Sequence, residues 1–331
     1  MMYQKELDIA LSAVSAAARL CRGARQTLVD AESVSKKDRS PVTIADFGSQ
    51  AIISLALGAA FPNDPIVGEE DAAILRENDF LRRKVHELVA MEAGPVEESP
   101  VLEAIDRGAG EVDFSKRFWT VDPIDGTKGF LRGEQYAVAL ALVEGGRVVL
   151  GVLGCPNFSV GGAESGGALF YAVAGGGAFS APIGDRDMAG HALNALPIRV
   201  DETLDPALAR FCESLESGHS DHETHQKICE RLGVTAPPCR MDSQAKYAAV
   251  ASGGASIYLR LPRGTEYREK IWDHAAGALI VEAAGGRVTD FSGNALSFAS
   301  GRTLEGHRGI LATNGRLHDK VLQAIEASVM L

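Results

Sequence analysis

The sequence predicts an α/β chain, more narrowly a layered α+β arrangement of helices and sheets. Three observations lead to this class. The chain opens with a long helical pattern, its middle is rich in apolar runs typical of strands, and its second half alternates helical and strand patterns. Antiparallel hairpins give way to alternating elements near residue 155, so we expect two domains, residues 1–155 and residues 156–331.

The first elements are helices around one short strand. Apolar residues recur at helical spacing from Leu7 to Cys21, which predicts an amphipathic helix. A second helix is predicted from about residue 45 to residue 61, followed by the turn FPNDP and an apolar strand, PIV, that ends in GEE. Residues 71–108 then have the pattern of two charged amphipathic helices.

Strands dominate the middle of the chain. The run FWTVD predicts a buried strand that stops at Pro123, and YAVALALVEGGRVVLGVLGCP and ALFYAVAGGGAF predict two hairpins. The remaining predicted elements are, in order, helices near 222–233 and 244–252, strand SIYLRL, helix 274–284, strands RVTDF and GILAT, and a closing helix over 315–329.

Composition and charge narrow the function classes. A chain of 331 residues that is 46% hydrophobic and 23% charged is neither disordered nor fibrous. Its net charge of −11 argues against a nucleic-acid polymer as partner, because affinity for the phosphate backbone comes from clustered cations. No run approaches the ~18 apolar residues of a membrane span, and the start lacks a signal-peptide pattern. We therefore expect a cytoplasmic protein without a membrane partner; an organelle stays open if a presequence is missing from this chain.

The five cysteines are far apart and form no CxxC pair, which predicts reduced thiols rather than a disulfide framework or a structural zinc site. Cys212, Cys229 and Cys239 fall within 28 positions, so a regulatory pair among them stays open.

The hexapeptide DPIDGT is the most informative motif. Asp122 and Asp125 flank a proline whose fixed φ holds a tight turn, so both carboxylates and the Ile124 carbonyl can converge on one point. Converging hard oxygens suit Mg²⁺. Gly126 permits close approach of the backbone, and Thr127 adds a hydroxyl that can position water. A turn with solvated acids is the alternative.

Further carboxylates stand at a strand end and a helix start. Glu69 and Glu70 close the strand PIV, and Asp273 precedes an apolar helix, where a simple N-cap role is the alternative. Three such acids or acid pairs are the parts of a two-metal phosphoryl-transfer site, whose ions lie about 3.5–4 Å apart. Like charges gathered in this way repel each other without cations, so we expect metal.

The motif set resembles that of one enzyme superfamily. Asp46 in PVTIAD, GEE at 68–70, DPIDGT at 122–127 and WDHAAG at 272–277 are similar to the motifs of the inositol monophosphatase superfamily, which are lithium-sensitive, magnesium-dependent phosphatases. Within it, DPIDGTKGFLRGEQYAVALAL, GHSDH, DSQAKYAAVASG and YLRLPRGTEYREKIWDHAAG resemble the 3′(2′),5′-bisphosphate nucleotidases, and the likeness covers essentially the whole chain. It implies an αβαβα sandwich of the sugar-phosphatase type, with a metal-binding first half and a nucleotide pocket, together with the last metal ligand, in the second.

The resemblance also implies a role for each motif residue. It implies two or three Mg²⁺ ions held by Glu69, Asp122, the Ile124 carbonyl, Asp125 and Asp273. Asp46 and Thr127 would orient and deprotonate the attacking water, which needs only a weak base beside a metal. No covalent intermediate is needed.

Substrate contacts are implied at Gly126, Thr127, His219, Ser243, Lys246, Arg260 and Asp273. A hydroxyl, an ammonium and a guanidinium can together hold a second phosphate that is not cleaved. Plainer alternatives stay open: Ser243 as a helix cap, Lys246 as a solvated lysine, and Arg260 as the partner of a neighbouring acid. Histidines at 219, 222 and 225 could bind zinc, but no Cys or carboxylate completes a known spacing, so His219 is favoured as a substrate ligand.

The resemblance thus implies a monomeric, magnesium-dependent phosphomonoesterase that acts on a small-molecule nucleotide. It would remove the 3′-phosphate of adenosine 3′,5′-bisphosphate, and of its sulfated form, and be inhibited by sodium and lithium. An inositol polyphosphate 1-phosphatase or a general inositol phosphatase is the alternative enzyme. A binding protein that senses the nucleotide without hydrolysis is disfavoured, because all the predicted ligands are present.

Overall fold

The computed structural model describes residues 2–27, 34–35, 41–42, 44–159, 166–184, 194–215, 222–262 and 266–328. The helices in these ranges are α1 (Gln4–Thr27), α2 (Ile44–Ala60), α3 (Ala73–Glu77), α4 (Asp79–Ala93), α5 (Glu98–Asp106), α6 (Thr127–Arg132), α7 (His222–Leu232), α8 (Ala245–Ala251), α9 (Ala275–Ala283) and α10 (His318–Glu326). None of these helices is long and apolar enough to cross a membrane.

The strands of the described ranges form one large sheet, one smaller sheet and a two-stranded ribbon. They are β1 (Val34–Ser35), β2 (Pro41–Val42), β3 (Ile66–Gly68), β4 (Phe118–Asp125), β5 (Ala137–Glu144), β6 (Arg147–Cys155), β7 (Ala168–Val173), β8 (Ala178–Pro182), β9 (Leu196–Ile198), β10 (Phe211–Glu213), β11 (Cys239–Arg240), β12 (Ile257–Arg260), β13 (Arg287–Thr289) and β14 (Ile310–Thr313). The large sheet runs in sequence order from β3 to β9, and only its β3–β4 pair is parallel. The smaller sheet has the order β11-β10-β12-β14-β13, with β10 parallel to both its neighbours.

Alternate side chains of the central strands enter different cores, which defines the layers. Val138, Leu140 and Leu142 of β5 pack in a core shared with α1 and α2, whereas the alanines between them belong to a second core with α8 and α9. This is the two-residue period of a strand buried on both faces. The helix α9 lies between the two sheets, and its run AAGALIV is buried throughout, as expected of a helix that is apolar on every side.

A third core closes the outer face of the smaller sheet. Ile257 and Leu259 of β12 and Leu311 of β14 pack against Ile228 of α7 and Val321 of α10. The layers are therefore α1 and α2, the large sheet, α8 and α9, the small sheet, and α7 with α10. The αβαβα sandwich predicted from the sequence is confirmed.

Most of the predicted elements are present, and two of the differences bear on the architecture. Residues 71–108 contain three helices, α3 to α5, rather than the two expected, because Asn78 interrupts the run and caps α4 through its side chain. The large sheet extends beyond residue 155 to Ile198, so it takes strands from both predicted domains. The division into residues 1–155 and 156–331 stays a prediction.

Candidate active site

A β-bulge in β4 separates the two aspartates of DPIDGT. Asp122 pairs with Ala139 of β5 and Asp125 with Ala137, so three steps along β4 match two along β5. Side chains three positions apart on a regular strand point to opposite faces, and the extra residue of a bulge lets both carboxylates face the same side. The predicted stop at Pro123 is therefore wrong: the strand continues to Asp125, and the proline, which cannot donate to the ladder, lies inside the bulge.

The residues after the bulge turn sharply into α6. Gly126 has φ +85°, and a Cβ at this position would lie 2.9 Å from the Cβ of Ser243. This is a left-handed conformation and a close approach, both of which favour glycine. The Thr127 hydroxyl donates to the Ile124 carbonyl oxygen at 3.2 Å. Carbonyl and hydroxyl therefore lie together beside the two carboxylates.

The helix α2 brings Asp46 to the same place. Asp46 is in the first turn of α2 and is 1% exposed. One turn further along, the Ser49 hydroxyl donates to the Pro123 carbonyl at 2.8 Å. This hydrogen bond links α2 to the bulge in β4.

Glu69 and Glu70 follow β3, which pairs with β4 in parallel. The side chain of Gln50 accepts from the Glu70 N–H at 3.0 Å and donates to the Glu70 carbonyl at 2.7 Å. Glu70 is 5% exposed and turned inward, whereas Glu69 is exposed. Glu69 is therefore the member of the pair that is accessible from outside the core.

Asp273 ends a short 3₁₀ helix, Ile271–Asp273, directly before α9. The N-cap position of α9 is His274, so a simple capping role does not account for Asp273. Its Oδ2 lies 3.4 Å from a guanidinium nitrogen of Arg260, at the end of β12.

These acids act on each other electrostatically. Burial raises the pKa of Asp122 well above its ordinary value, and four further carboxylates raise it too: Glu69, Asp125, Asp273 and Asp46. Burial also raises the pKa of Asp273, where Arg260 opposes the shift and Asp125 adds to it. Acids from four separate parts of the chain therefore meet at one point, where each ionised group disfavours the others.

The donor set fits a hard divalent cation. Asp122 is 2% exposed, and its Oδ1 is buried without a hydrogen-bond partner among the residues that the structure describes. A buried carboxylate oxygen is normally paired or coordinated to a metal. Carboxylate and carbonyl oxygens are also the ligands that Mg²⁺ prefers. The residues of this cluster that could hold such ions are Glu69, Asp122, Ile124 through its carbonyl, Asp125 and Asp273.

Two cations lie beside the acids. Lys246 of α8 is 2% exposed, and its Nζ lies 5.3 Å from the centre of the Tyr258 ring and 3.4 Å from the Met241 carbonyl. Burial lowers the pKa of Lys246, and Asp125 opposes this shift. Lys246 is therefore not the solvated lysine of the plainer alternative.

Arg260 is held by a neighbouring acid, as the plainer alternative expects. Its guanidinium lies 2.8 Å from Glu269, which also contacts His274 at 3.2 Å. Glu269, Asp273 and His274 bring ligand atoms within 4.8 Å of one another, but the guanidinium already supplies the positive charge there. We therefore regard this group as the support of Arg260 rather than as a metal site of its own.

Ser243 makes one contact within its own segment and lies against one distant segment. Its φ is +71°, and its hydroxyl oxygen accepts from the N–H of Ala245, the first residue of α8, at 3.1 Å. The Ser243 hydroxyl thus binds a backbone donor of the first turn of α8, although the N-cap position of that helix is Gln244. The unusual backbone also places Ser243 against Gly126, so the two predicted substrate residues are neighbours.

Gln244 links the two halves of the site and was missed by sequence reasoning. Its backbone N–H donates to the Asp125 carboxylate at 2.6 Å. Its side-chain amide donates to the Trp272 carbonyl at 2.9 Å and accepts from the Gly277 N–H at 3.1 Å. Its position next to Ser243 was the only signal in the sequence.

The structure brings the predicted site residues together, with one exception. His219 lies outside the described residues, as does most of the GHSDH segment. The ring of His225 packs edge-on against Phe211 and lies 3.3 Å from Glu213, on the α7 side of the small sheet. The roles assigned to the individual residues stay predictions.

Comparisons with known proteins find similar sequences over nearly the whole chain. A model of the inositol monophosphatase family matches residues 2–330. A 3′(2′),5′-bisphosphate nucleotidase of Oryza sativa is 45% identical over 348 residues, which cover 99% of this chain and 95% of that protein. A 3′(2′),5′-bisphosphate nucleotidase of Schizosaccharomyces pombe is 41% identical over 345 residues, which cover 99% of this chain and 96% of that protein.

Among solved structures, an IMPase of Thermotoga maritima is similar with a TM-score of 0.68 and 24% identity, over 98% of each chain. At that identity the likeness concerns the fold alone.

Proposed function

The chain belongs to the inositol monophosphatase family, and we propose that within it the protein is a magnesium-dependent 3′(2′),5′-bisphosphate nucleotidase. It removes the 3′-phosphate of adenosine 3′,5′-bisphosphate, and of the sulfated form of that nucleotide, and leaves the 5′-phosphate in place. Full-length similarity to bisphosphate nucleotidases at 41–45% identity supports the substrate class. The observation that carries the chemistry is the mutual crowding of Glu69, Asp122, Asp125 and Asp273 beside two cations.

We assign the metal to the carboxylates of Glu69, Asp122, Asp125 and Asp273 and to the Ile124 carbonyl, with two or three ions. Magnesium bound there would supply a Lewis acid that lowers the pKa of water and offsets charge on the phosphate. The buried Oδ1 of Asp122 and the excess of acids over cations support this assignment.

The chain's own residues position the water and accept its proton. The Thr127 hydroxyl is held by the Ile124 carbonyl, so its oxygen is free to accept from a water molecule on the open side. Asp46, buried in the first turn of α2, is the base that we assign to that proton. Attack in line with the 3′-oxygen then breaks the bond between phosphorus and that oxygen. The 3′-oxygen takes up a proton from solvent and leaves as the 3′-hydroxyl of the nucleoside 5′-phosphate, and inorganic phosphate forms with no covalent link to the protein.

The phosphate of the substrate that is not cleaved accounts for the two cations, Lys246 and Arg260. Burial raises the pKa of Asp125, and the charges of Lys246 and Arg260 oppose that shift. The Lys246 side chain is buried and the Arg260 side chain is mostly covered, so neither is a solvated surface cation. A buried ammonium and a guanidinium, together with the Ser243 hydroxyl, suit a phosphate that is bound and not cleaved. His219 belongs to this set on the resemblance alone. The protein is further proposed to act as a monomer in the cytoplasm and to be inhibited by lithium and sodium.

A panel of phosphomonoesters tests the assignment. With Mg²⁺, initial rates of phosphate release are measured for adenosine 3′,5′-bisphosphate, adenosine 3′-phosphate, inositol 1-phosphate and inositol 1,4-bisphosphate. We expect the highest kcat/KM for the bisphosphate nucleotide. Equal turnover of inositol 1-phosphate would support the alternative, an inositol phosphatase, and overturn the nucleotidase.

A substitution at Lys246 tests the role of the second phosphate. Lys246→Met keeps most of the unbranched length of the buried side chain and removes its charge. A hydrogen bond to a charged group contributes about 1.5–3 kcal/mol, so KM for adenosine 3′,5′-bisphosphate should rise about 10- to 100-fold. KM for adenosine 3′-phosphate, which lacks the second phosphate, should change little. An equal change for both substrates would contradict the role.

A further inference from the structure

Arg302 lies between two segments that carry predicted metal ligands. Its guanidinium donates to the Gly68 carbonyl, the residue before Glu69, and to the Gly108 carbonyl at 2.9 Å. The same guanidinium lies over the ring of Trp272, the residue before Asp273, with 5.1 Å between its central carbon and the ring centre. One side chain therefore touches the immediate neighbour of each of two carboxylates.

The backbone of Arg302 is itself tied to the Asp273 segment. The Ile271 N–H donates to the Arg302 carbonyl at 3.2 Å, and Lys270 and Thr303 form an isolated β-bridge. The guanidinium thus links the Asp273 segment to the end of β3.

The Glu69 side chain is exposed, and the contacts of its backbone bear on where its carboxylate lies. On one side of Glu69, the Gln50 side chain binds the backbone N–H and carbonyl of Glu70. On the other side, the Arg302 guanidinium binds the backbone carbonyl of Gly68. Gly68 has no space for a side chain, since a Cβ there would lie 2.6 Å from the Gln50 side-chain oxygen. With the chain packed this closely, a shift of Gly68 is passed directly to Glu69.

We propose that Arg302 is a positioning residue of the metal site, which fixes Glu69 relative to Asp273 through Gly68 and Trp272. This inference rests on the proposed function, because the two acids are metal ligands only within it. An arginine suits this role because its planar fork donates to two carbonyls while its face stacks on an indole. A lysine ammonium carries its three donors at a single point and has no planar face, so it cannot reproduce the two separated carbonyl contacts and the stacking on the indole together.

Mg²⁺ binding to the metal-free protein tests the inference without reference to turnover. Isothermal titration with Mg²⁺ is carried out on the wild type, Arg302→Met, Arg302→Lys and, as a matched control, Arg287→Met. Arg287 of β13 forms an exposed ion pair with Asp319 of α10. Loss of groups that orient metal ligands typically costs 10–100-fold in metal affinity. We expect that loss in Arg302→Met, a smaller loss in Arg302→Lys, and none in Arg287→Met.

The same loss of Mg²⁺ affinity should appear in the kinetics of phosphate release. The Mg²⁺ concentration for half-maximal phosphate release should rise by the same factor in Arg302→Met, and excess Mg²⁺ should restore most of kcat, while KM for the nucleotide stays near that of the wild type. Circular dichroism checks the fold, and Arg302→Lys carries the test if Arg302→Met does not fold.

The outcomes separate the two claims. Unchanged Mg²⁺ affinity in a folded Arg302→Met protein, or an equal loss in Arg287→Met, overturns the role of Arg302 and leaves the proposed function intact. A wild-type protein that binds no Mg²⁺ overturns both.

Discussion

Asp122 is the residue at which burial and charge conflict most directly. Its carboxylate is almost fully buried, and within the described part of the chain one of its oxygens has no hydrogen-bond partner. Burial and four other acids raise its pKa. A buried charge without compensation costs several kcal/mol, so a structure retains one only where a cation or a function requires it. The sequence predicted this crowding from three motifs, whose acids lie at strand ends or at a helix start. Where these ends come together in the fold, the acids come together with them.

Asp125→Asn should strongly reduce turnover and leave the fold unchanged. The Asp125 carboxylate accepts the Gln244 N–H at 2.6 Å, and the asparagine carbonyl can accept the same hydrogen bond. The lost negative charge weakens metal binding, and metal catalysis supplies several kcal/mol, so phosphate release should fall by at least about 100-fold. The rate at saturating Mg²⁺ and the circular dichroism spectrum check this. Activity near that of the wild type, or near that of the exposed control Asp319→Asn, would contradict a metal-binding role for Asp125.

Cys239 should be the most reactive cysteine of the chain. It is the strand-register partner of Cys212, whose side chain hydrogen-bonds to it, and this contact, together with the positive charge of Arg210, lowers its pKa to about 6. Burial raises the pKa of Cys229 to about 11, and Cys21, Cys155 and Cys212 are fully buried. The thiolate is the reactive form, so alkylation of Cys239 by iodoacetamide should rise through pH 6 and level off above it.

Peptide mapping by mass spectrometry after brief alkylation at pH 7 measures this order. Cys229 should react slowly and still be gaining rate at pH 9. Preferential labelling of Cys229 would contradict the assigned environment. The sequence left a pair among the last three cysteines open, and the pairing of β10 with β11 identifies Cys212 and Cys239 as the two neighbours.

At the scale of elements, the sequence predicted the long helices and missed the details that depend on pairing. The helix α9 was predictable because its residues form an almost unbroken apolar run, and the hairpin β5–β6 because two apolar runs flank a glycine turn. The strands β10 and β11 have three and two residues, too few for a period, and are strands only because β12 pairs with β10. The bulge in β4 depends on the register with β5, which no local pattern contains.

The connection from β4 to α6 gives a prediction at this scale. Gly126→Ala places a Cβ in a left-handed backbone conformation, which costs about 1–2 kcal/mol, and adds a 2.9 Å contact with the Ser243 Cβ. Urea unfolding should show a loss of about 1–3 kcal/mol, and the displaced Ser243 should raise KM for the bisphosphate nucleotide.

Gly175→Ala is the matched control for this variant. Gly175, in the turn between β7 and β8, has φ +74° and open space around a Cβ. It should lose stability for the backbone reason alone and keep the KM of the wild type. An equal rise of KM in both variants would show that the Ser243 contact is not the cause.

At the scale of the whole molecule, part of the net charge of −11 is concentrated in the carboxylate cluster of the candidate site. A chain this acidic does not suit a long nucleic acid, but the gathered carboxylates recruit cations that make a small phosphate ester an acceptable ligand. The roles of Gln244 and Arg302 belong to this scale too, since each joins segments far apart in the chain, and no single motif could reveal them.

The crowded acids should also govern the stability of the metal-free protein. Raised pKa values of Asp122, Asp125 and Asp273 mean that the folded state binds protons more tightly than the unfolded chain. The stability of the metal-free protein should therefore fall as pH rises above about 3.9, the ordinary value of aspartate, towards the raised values. At pH 7.5, Mg²⁺ at 100 times its Kd should restore about 2.7 kcal/mol.

Asp122→Asn separates this effect from ordinary stabilisation. Thermal unfolding at pH 7.5 should show a higher Tm than the wild type without metal, because one buried charge is gone, and a much smaller rise of Tm on adding Mg²⁺. A lower Tm without metal, together with a full response to Mg²⁺, would contradict charge repulsion at the site.

Identification of the product of adenosine 3′,5′-bisphosphate tests the central claim most directly. The purified protein is incubated with the nucleotide, with Mg²⁺ or with a chelator, and the products are separated by anion-exchange chromatography. We predict adenosine 5′-phosphate and inorganic phosphate in equal amounts with Mg²⁺, and no hydrolysis with the chelator. Adenosine 3′-phosphate as the product, hydrolysis that survives the chelator, or intact nucleotide in the presence of Mg²⁺ would contradict the claim.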